Sequence, residues 1–545
     1  MEQHSKSYLQ SGPLAFGLLI IGFISNILSS AKWGIGLFGW ISPIGFLFFI
    51  RFSRIRWKWF LLFIVLITAS VIDAKDVAPF PVPLLVILGL IESGKIILVY
   101  LTNEWVYKRS RQFSASFYLP AAFTCLEFIN AKLGGGVWWS VANAQYGFGW
   151  LRQLASVTGI WGISFMIYWL AAVVVWSISE FSRGNQSLRG LRVYGLVFAM
   201  VMAYGAIRYH GDLMGETRSV KIAGITAPSF GFLTGLYADF SGKEVHINPR
   251  TSISSPDLQE INRAQVPFIG SADTIKFRRG YAAMQAINDS LFILSARAAA
   301  VGARIILWSE ANALVFAFDE PALTLRASQF AESHKVYLLM SRAVILPGKI
   351  EQGRKFLKNE AILFGPDGRI LNLFHKNNPV PFAEASVPGD GNIPVTETPY
   401  GRIATSICYD ADFPIQMRQL GEKKAGLLLL PSGDWSAIAP YHSYMAIFRG
   451  IENGNAIFRQ VSGGLSVATD YRGKMIGSFD FYGTGEKLWY AEVPIGHIST
   501  LYNRIGDLFA YLCLLVTMGW LAYLLIEYFT SMGRKTRTRI VSASA

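Results

Sequence analysis

The stretch Ile403-Ala404-Thr405-Ser406-Ile407-Cys408-Tyr409-Asp410 is a short run of β-branched and apolar residues that ends in a thiol and an acid. Such a run predicts a strand, and a lone cysteine at the end of a strand is a common position for a nucleophile. Glu310 in Trp308-Ser309-Glu310 and Lys376 in Phe374-His375-Lys376 precede it, each after a strand-like segment. Glu, Lys and Cys in this chain order indicate acyl-transfer chemistry at a carbonyl carbon.

These residue types suit that chemistry because a cysteine attacks as a thiolate and needs a base or a positive charge nearby. Glu310 is the candidate general base. Lys376 is the candidate group to hold the sulfur's charge and to stabilise the oxyanion of a tetrahedral intermediate. Glu384 is a second carboxylate, eight residues after the lysine, which positions the lysine or acts as a second acid/base group. Each residue alone is more often structural, so the prediction rests on their combination.

The other polar residues of this region carry weaker signals. His375 and His442 are interpreted as ordinary hydrogen-bonded histidines. No His/Cys cluster has metal-ligand spacing and no phosphate-binding glycine loop is present, so the sequence predicts neither a metal nor another cofactor.

The composition places this chemistry in a membrane protein. Of the 545 residues, 52% are hydrophobic and only 16% are charged, which is unusual for a soluble protein. The formal charge of +14 could suggest nucleic acid, but most basic clusters flank apolar stretches, so we predict no nucleic-acid binding. Of the three cysteines, Cys125 and Cys513 lie in apolar stretches and are predicted to be buried, unreactive thiols.

About eight transmembrane helices are predicted from apolar stretches, of which the third and seventh are short. They are roughly Gly12–Ser30, Gly34–Ile50, Trp59–Ile72, Val77–Leu101, Phe113–Ile129, Leu154–Ile178, Val193–Ile207 and Leu508–Phe529. Residues 1–11 are polar and precede a full-length span, so no cleavable signal peptide is predicted. Within the spans, Glu92 and Lys95 are spaced to pair on one helix face, and Glu127 has either a functional role or a hydrogen bond to a neighbouring helix.

Every even-numbered span is followed by basic residues, which indicates the topology. These segments contain Arg51 to Lys58, Lys108 to Arg111, Arg183 to Arg192 and Arg534 to Arg539. The positive-inside rule then places both termini in the cytoplasm and the long segment between spans seven and eight on the outer face.

Three regions follow from this layout: an N-terminal membrane domain at residues 1–216, an extramembrane domain at 217–499, and a last span with a basic tail at 500–545. The extramembrane region alternates strand-like runs with helical segments such as Gly280–Ala300 and Tyr441–Asn453, which is typical of a layered α/β domain. Residues 230–277 are polar and irregular, and are interpreted as an inserted loop over the site or a disordered segment.

Several motifs together resemble the nitrilase superfamily of carbon–nitrogen hydrolases, and with the apolar spans they resemble its membrane-embedded apolipoprotein N-acyltransferase family. They are Trp308 to Glu310, Ala361 to Arg369, Lys376, Val380 to Glu384, Cys408 to Asp410, Pro431 to Trp435, Arg449 to Glu452, Asp470 to Gly473 and Thr500 to Asp507. The family usually has Glu where this chain has Asp410. The segment from Glu384 to Cys408 is shorter in this chain than the corresponding segment in acyltransferases of the family.

The resemblance implies an α-β-β-α sandwich for the extramembrane domain, on the periplasmic face of a bacterial inner membrane. It implies that Cys408 accepts an acyl chain from a phospholipid as a thioester and passes it to the N-terminal amine of an apolipoprotein's diacylglyceryl-cysteine. Glu310 would act as base, Lys376 as oxyanion donor and Glu384 as a supporting group. No cofactor is implied, and the oligomeric state is left open.

Two alternatives remain at this point. The first is a membrane-anchored amidase or acyltransferase of the same superfamily with a different acceptor. The second is a non-catalytic transporter or scaffold that retains a degenerate nitrilase domain, although the intact Glu310, Lys376 and Cys408 set argues against it.

Overall fold

The computed structural model describes residues 12–185, 188–215, 219–252 and 255–543. The polar segment 1–11 and the predicted domain boundary at residue 217 lie outside these ranges. The chain divides into two compact units. The first contains Met1–Ala74, Val82–Gly205 and Ile505–Ala545, and the second contains Lys75–Pro81 and Ala206–Arg504.

The longer helices, in chain order, are α1 (Gly12–Ser29), α2 (Gly36–Phe52), α3 (Lys58–Ala74), α4 (Val82–Arg109), α5 (Tyr118–Asn130), α6 (Trp161–Phe181), α7 (Arg189–His210), α8 (Phe230–Ser241), α9 (Pro256–Arg263), α10 (Gln265–Ser271), α11 (Arg278–Ala300), α12 (Glu320–His334), α13 (Tyr441–Asn453) and α14 (Leu508–Ala543). Shorter helical turns occupy Phe113–Phe117, Ala131–Gly135, Val141–Gly147, Leu151–Leu154, Ala155–Thr158, Ile350–Gln352, Cys408–Asp412, Pro414–Met417, Gln419–Glu422 and Leu501–Ile505.

The first unit is helical, and all eight predicted apolar stretches coincide with α1 to α7 and α14. Among the described residues, α4, α6, α7 and the Leu508–Thr530 part of α14 are long and apolar enough to cross a membrane. α1 and α2 are apolar but shorter. A total of eight membrane spans therefore stays a prediction.

The polar residues of the predicted spans have side-chain partners. Lys95 pairs with Glu92 at 2.5 Å, as predicted from their spacing. Glu127 on α5 accepts hydrogen bonds from Ser164 on α6 at 2.6 Å and from Ser140 at 2.7 Å. The hydrogen bond to a neighbouring helix, one of the two roles predicted for Glu127, is therefore present.

The second unit contains two β-sheets. The strands are β1 (Ser219–Ile225), β2 (Ile305–Trp308), β3 (Ala313–Phe316), β4 (Tyr337–Ile345), β5 (Leu357–Phe364), β6 (Ile370–His375), β7 (Val395–Thr398), β8 (Gly401–Thr405), β9 (Leu427–Gly433), β10 (Ala456–Ser462), β11 (Leu465–Thr469), β12 (Met475–Asp480) and β13 (Leu488–Pro494). One sheet has the order β13-β1-β2-β4-β5-β6, with β3 also paired to β4, and the other has the order β12-β11-β10-β9-β8-β7.

The centre of each sheet is parallel, and this explains the apolar runs in the sequence. β1, β2 and β4 pair in parallel in the first sheet, as do β8, β9 and β10 in the second. Parallel strands are covered on both faces, so their residues are apolar without alternation. All four residues of β2 and the first four of β9 are fully buried.

The sheets pack face to face with helices outside them, which gives the α-β-β-α sandwich. Residues such as Leu307 and Leu339 of the first sheet share a core with Leu429 and Phe458 of the second. A second core joins the first sheet to α8, α11 and α12, and a third joins β8 and β9 to α13 and the helical turns after Cys408. The parallel strands of both sheets therefore end side by side at one edge of the sandwich.

The segment 230–277 differs from the interpretation as a loop or disordered stretch. It contains α8, α9 and α10, and Phe268 of α10 is fully buried against Phe277 and Phe316. These helices have 7 to 12 residues, too few for a clear helical periodicity in the sequence.

The short segment Lys75–Pro81 joins α3 to α4 but belongs to the second unit by its contacts. Trp435 Nε1 donates a hydrogen bond to the Asp76 carbonyl at 2.7 Å, and Ser252 Oγ donates to Asp76 Oδ1 at 2.7 Å. The Phe80 ring packs edge-on against Phe382, with ring centroids 5.4 Å apart. A segment between two apolar helices thus contacts three separate loops of the sandwich.

Candidate active site

Glu310, Lys376 and Cys408 each follow a strand, as their sequence context predicted. β2 ends at Trp308, β6 ends at His375 and β8 ends at Thr405. The Glu310 amide donates to the Ser432 carbonyl on β9 at 3.3 Å, which joins the two sheets at this edge. The three side chains come together because their strands end at the same edge of the sandwich.

Lys376 lies between two carboxylates. Its Nζ is 2.7 Å from Glu310 Oε1 and 2.6 Å from Glu384 Oε2, and the side chain is only 2% exposed. Asn359 on β5 donates from Nδ2 to Oε1 of both glutamates at 2.8 Å. Burial alone would lower the pKa of Lys376, but the two carboxylates hold it well above its usual value. The lysine therefore stays protonated, as an oxyanion donor requires.

Cys408 begins a helical turn, Cys408–Asp412, with a left-handed backbone (φ 45°). Its thiol is buried and donates to the Gly433 carbonyl, with sulfur and oxygen 3.7 Å apart. The Gly433 amide donates to Glu310 Oε2 at 2.8 Å, so one residue contacts both the thiol and the candidate base. Burial and the Glu310 carboxylate raise the pKa of Cys408 well above its usual value, so the thiol needs a base to become a nucleophile.

Asp410 joins the Cys408–Asp412 turn to the segment after Lys376. Its Oδ1 accepts from the Asn378 amide at 2.7 Å and from Asn378 Nδ2 at 2.9 Å, and its Oδ2 accepts from the Ile407 amide at 3.3 Å. Burial raises the pKa of Asp410 to about 6. Asp410, which is shorter than the glutamate usual in the family, thus joins two segments of the site through hydrogen bonds.

A second group of buried charged side chains lies next to Cys408, and the sequence analysis did not predict it. Arg459 on β10 donates to both carboxylate oxygens of Asp434 at 3.0 Å. His442 on α13 lies between Asp434, with Nδ1 and Oδ1 2.8 Å apart, and Asp412, with Nε2 and Oδ1 3.2 Å apart. We call these four residues the rear charge cluster. The available signal was Arg459 itself, a charged residue inside an apolar strand.

The rear charge cluster resembles a metal site only in part. Ligand atoms of Cys408, Asp434 and His442 all lie within 4.8 Å of one another. However, the Arg459 guanidinium already binds both oxygens of Asp434 and lies 2.9 Å from His442 Nδ1. A cation here would compete with a buried guanidinium, so the donor set fits an ion-pair network better than a metal centre.

Removal of the His442 charge is expected to change the pH dependence of stability. Burial alone would lower the pKa of His442, but Asp434 and Asp412 raise it from 6.5 to about 9 despite the opposing charge of Arg459. The charged form is thus favoured in the folded state, so its contribution is complete below pH 6.5 and is lost as the pH rises through about 9. We expect unfolding temperatures in detergent to fall over this window, corresponding to about 3 kcal/mol.

The His442→Gln variant should lose most of this pH dependence, whereas His334→Gln, at an exposed histidine, should retain it. An unchanged profile in His442→Gln would contradict the assignment.

Comparison with known proteins relates both parts of the chain to one family. Residues 24–173 match the family model described as apolipoprotein N-acyltransferase N-terminal domain, and residues 282–501 match the carbon-nitrogen hydrolase model. The chain belongs to the apolipoprotein N-acyltransferase family of the nitrilase superfamily.

Relatives with this family name align over most of the chain. An apolipoprotein N-acyltransferase from Geobacter metallireducens is 27% identical over 425 residues, covering 72% of this chain and 71% of the relative. Apolipoprotein N-acyltransferase 1 of Leptospira interrogans is 24% identical over 574 residues, covering 94% and 96%. Among solved structures, a Saccharomyces cerevisiae member of branch 10 of the nitrilase superfamily is 20% identical, with a TM-score of 0.36, covering 51% of this chain and 90% of that protein.

In this member of the apolipoprotein N-acyltransferase family, the hydrogen-bond partners of Glu384 among the described residues are all donors. It accepts from Lys376 Nζ, from Asn359 Nδ2, from the Val380 amide at 3.0 Å and from Ser386 Oγ at 2.9 Å. Burial alone would raise the pKa of Glu384, but Lys376 and these donors lower it. Glu384 therefore stays ionised, which favours positioning of the lysine over proton donation.

The Glu384→Gln variant is expected to slow Cys408 acylation by about 10- to 100-fold, because it loses one charged hydrogen bond to Lys376. The rate of acyl-adduct formation by mass spectrometry measures this effect. Glu397→Gln, at a carboxylate that is 75% exposed and pairs with Arg402, is the matched control. A Glu384→Gln rate equal to that of the control would contradict the positioning role.

Proposed function

We propose that the protein transfers an acyl chain from a phospholipid to the N-terminal amine of the diacylglyceryl-cysteine of apolipoproteins, through a thioester at Cys408. The arrangement of Lys376 between Glu310 and Glu384, beside a buried cysteine at the start of a turn, carries the proposal. The names of the relatives and the apolar helices support lipid substrates.

In the first half-reaction, Glu310 takes the thiol proton as the Cys408 sulfur attacks the ester carbonyl of the phospholipid. The Lys376 ammonium and backbone amides near Cys408 stabilise the oxyanion. The intermediate collapses to a thioester, and Glu310 returns the proton to the departing alkoxide, which leaves as a lysophospholipid. The high pKa of Cys408 makes this base essential.

In the second half-reaction, the free amine of the acceptor attacks the thioester. Glu310 takes a proton from the amine, and the tetrahedral intermediate collapses to an amide while the proton passes to the Cys408 thiolate. Cys408 is 3% exposed and Lys376 is 2% exposed, so both substrates must enter a buried site.

The membrane topology forms part of the proposal. Eight spans, with both termini in the cytoplasm and the sandwich on the periplasmic face of a bacterial inner membrane, give both lipid substrates access from the bilayer. The proposed domains are residues 1–216, 217–499 and 500–545.

The test is intact-protein mass spectrometry after incubation with phosphatidylethanolamine vesicles, with Cys408→Ala alongside. We expect an added acyl mass on the wild type only, and its discharge into a triacylated product when a diacylated lipopeptide is added. An acyl adduct that is not discharged when the lipopeptide is added would indicate a different acceptor. A folded protein without an adduct would overturn the phospholipid-donor assignment, and discharge to water alone would indicate an amidase.

A further inference from the structure

Phe382 has a conformation that its own packing does not explain. Its backbone is left-handed (φ 63°), which is unfavourable for a bulky residue, and its side chain is 82% exposed. Such a conformation is strained and often persists where function requires it. Hydrogen bonds of the surrounding turn, from the Ala383 and Glu384 amides to the Val380 carbonyl, hold this conformation and leave the ring exposed.

Phe382 is held close to the proposed chemistry. It lies two residues before Glu384, which contacts the Lys376 ammonium at 2.6 Å. The turn around it is fixed, because the Glu384 amide donates to the Val380 carbonyl at 3.0 Å and the Val380 amide donates to Glu384 Oε2 at 3.0 Å. The exposed ring therefore has a defined position relative to the lysine.

Phe80 gives this ring an apolar neighbour from a distant part of the sequence. The two rings meet edge to face, with an interplanar angle of 85°. Phe80 is anchored through Asp76, which accepts hydrogen bonds from Trp435 and Ser252. Trp435 lies only two residues after Gly433, the residue that contacts Cys408 and Glu310. The ring pair is thus connected to the loop after β9, through Trp435, and to the loop after β6, which contains Glu384.

We propose that the Phe80–Phe382 ring pair binds the acyl chain of the donor next to the ester carbonyl that Cys408 attacks, and that it sets a preference for long chains. The pair presents uncharged aromatic surface, which an alkyl chain covers by displacing water. Segment 75–81 continues directly into the apolar helix α4, which suits an occupant that comes from a bilayer. This inference rests on the proposed acyl-transfer function.

The test compares acylation of Cys408 by p-nitrophenyl palmitate and p-nitrophenyl butyrate in detergent, monitored by release of nitrophenol and by the acyl mass on the protein. We expect Phe382→Ala and Phe80→Ala each to lower the palmitate-to-butyrate rate ratio by about tenfold. The double variant should lower it little further, because the rings act as a pair. Phe382→Leu, which keeps an apolar side chain, should restore most of the ratio.

The matched control is Phe318→Ala, which removes a ring that is 57% exposed and stacks on Phe316 instead. Its ratio should equal that of the wild type. Alkylation of Cys408 by iodoacetamide, located by peptide mapping, shows whether the site of each variant is intact.

The outcomes separate this inference from the function on which it rests. Equal loss of both ester reactions in Phe382→Ala would show that the loop only positions Glu384, and an unchanged ratio would show that the rings do not contact the chain. Either result overturns the inference alone. If the wild type forms no acyl adduct with either ester or with phospholipid, the acyl-transfer function itself is wrong.

Discussion

Glu310→Gln is expected to slow acylation of Cys408 by about 100- to 10,000-fold, the range typical of a lost general base. The physical reason is burial, the main cause of the raised pKa of Cys408, which still acts when the Glu310 charge is removed. Without a base, almost no thiolate is present at neutral pH. Glutamine keeps one oxygen for Lys376 and Asn359, so the lysine retains part of its environment.

The pH profile separates a base from a merely structural residue. In Glu310→Gln, acylation should rise steadily toward alkaline pH as solvent hydroxide ionises the thiol, whereas the wild type should already be active near neutrality. Rates of acyl-adduct formation at several pH values measure this, with Glu422→Gln, an exposed carboxylate paired with Arg418, as the control. A Glu310→Gln rate near that of the wild type at pH 7 would remove Glu310 from the mechanism.

Arg459→Met is expected to give the largest loss of stability, about 3 to 5 kcal/mol, because it leaves a buried carboxylate without its main cation. The guanidinium and Asp434 are both fully buried. Burial alone would raise the pKa of Asp434, but Arg459 and His442 hold it well below its usual value, so the carboxylate is charged in the folded state. Methionine fills much of the same volume, so the loss comes mainly from charge.

The double variant Arg459→Met/Asp434→Asn tests this explanation even if the single variant does not fold. It removes one positive and one negative charge, and leaves His442 paired with Asp412. We expect its unfolding temperature in detergent to lie between those of the single variant and the wild type. Arg402→Met, at an arginine that is 45% exposed, should cost at most about 1 kcal/mol. A double variant no more stable than Arg459→Met would show that packing, and not charge, is the reason.

The sequence predicted the nucleophile and its two partners because each one follows a strand. Apolar runs located β2 and β8, and the ends of parallel strands meet at one edge, so Glu310 and Cys408 could be placed together. The roles of these residues in catalysis remain predictions. The position of Glu384 beside Lys376 was one of its two predicted roles. The hydrogen bonds from Asn359 to both glutamates were not predicted, because Asn359 lies within β5 and has no local signal for them.

The rear charge cluster was hidden for a different reason. Its residues come from the turn after β8, the loop after β9, helix α13 and strand β10, so no spacing in the chain relates them. A charge inside the apolar strand β10 requires a partner, but only the tertiary structure shows that Asp434 provides it. His442, interpreted as an ordinary hydrogen-bonded histidine, has both nitrogens near carboxylates beside the thiol.

Segment Lys75–Pro81 also limits how the protein can be taken apart. Because this segment and Ala206–Arg504 form one compact unit, the chain passes between the two units four times. A fragment cut at residues 206 and 504 would lack Asp76, whose carbonyl accepts the Trp435 indole hydrogen bond, and Phe80, which covers part of Phe382. A fragment of residues 206–504 would therefore lack part of its own compact unit. A chimera that joins this fragment to another membrane domain would need the seven residues 75–81 as well.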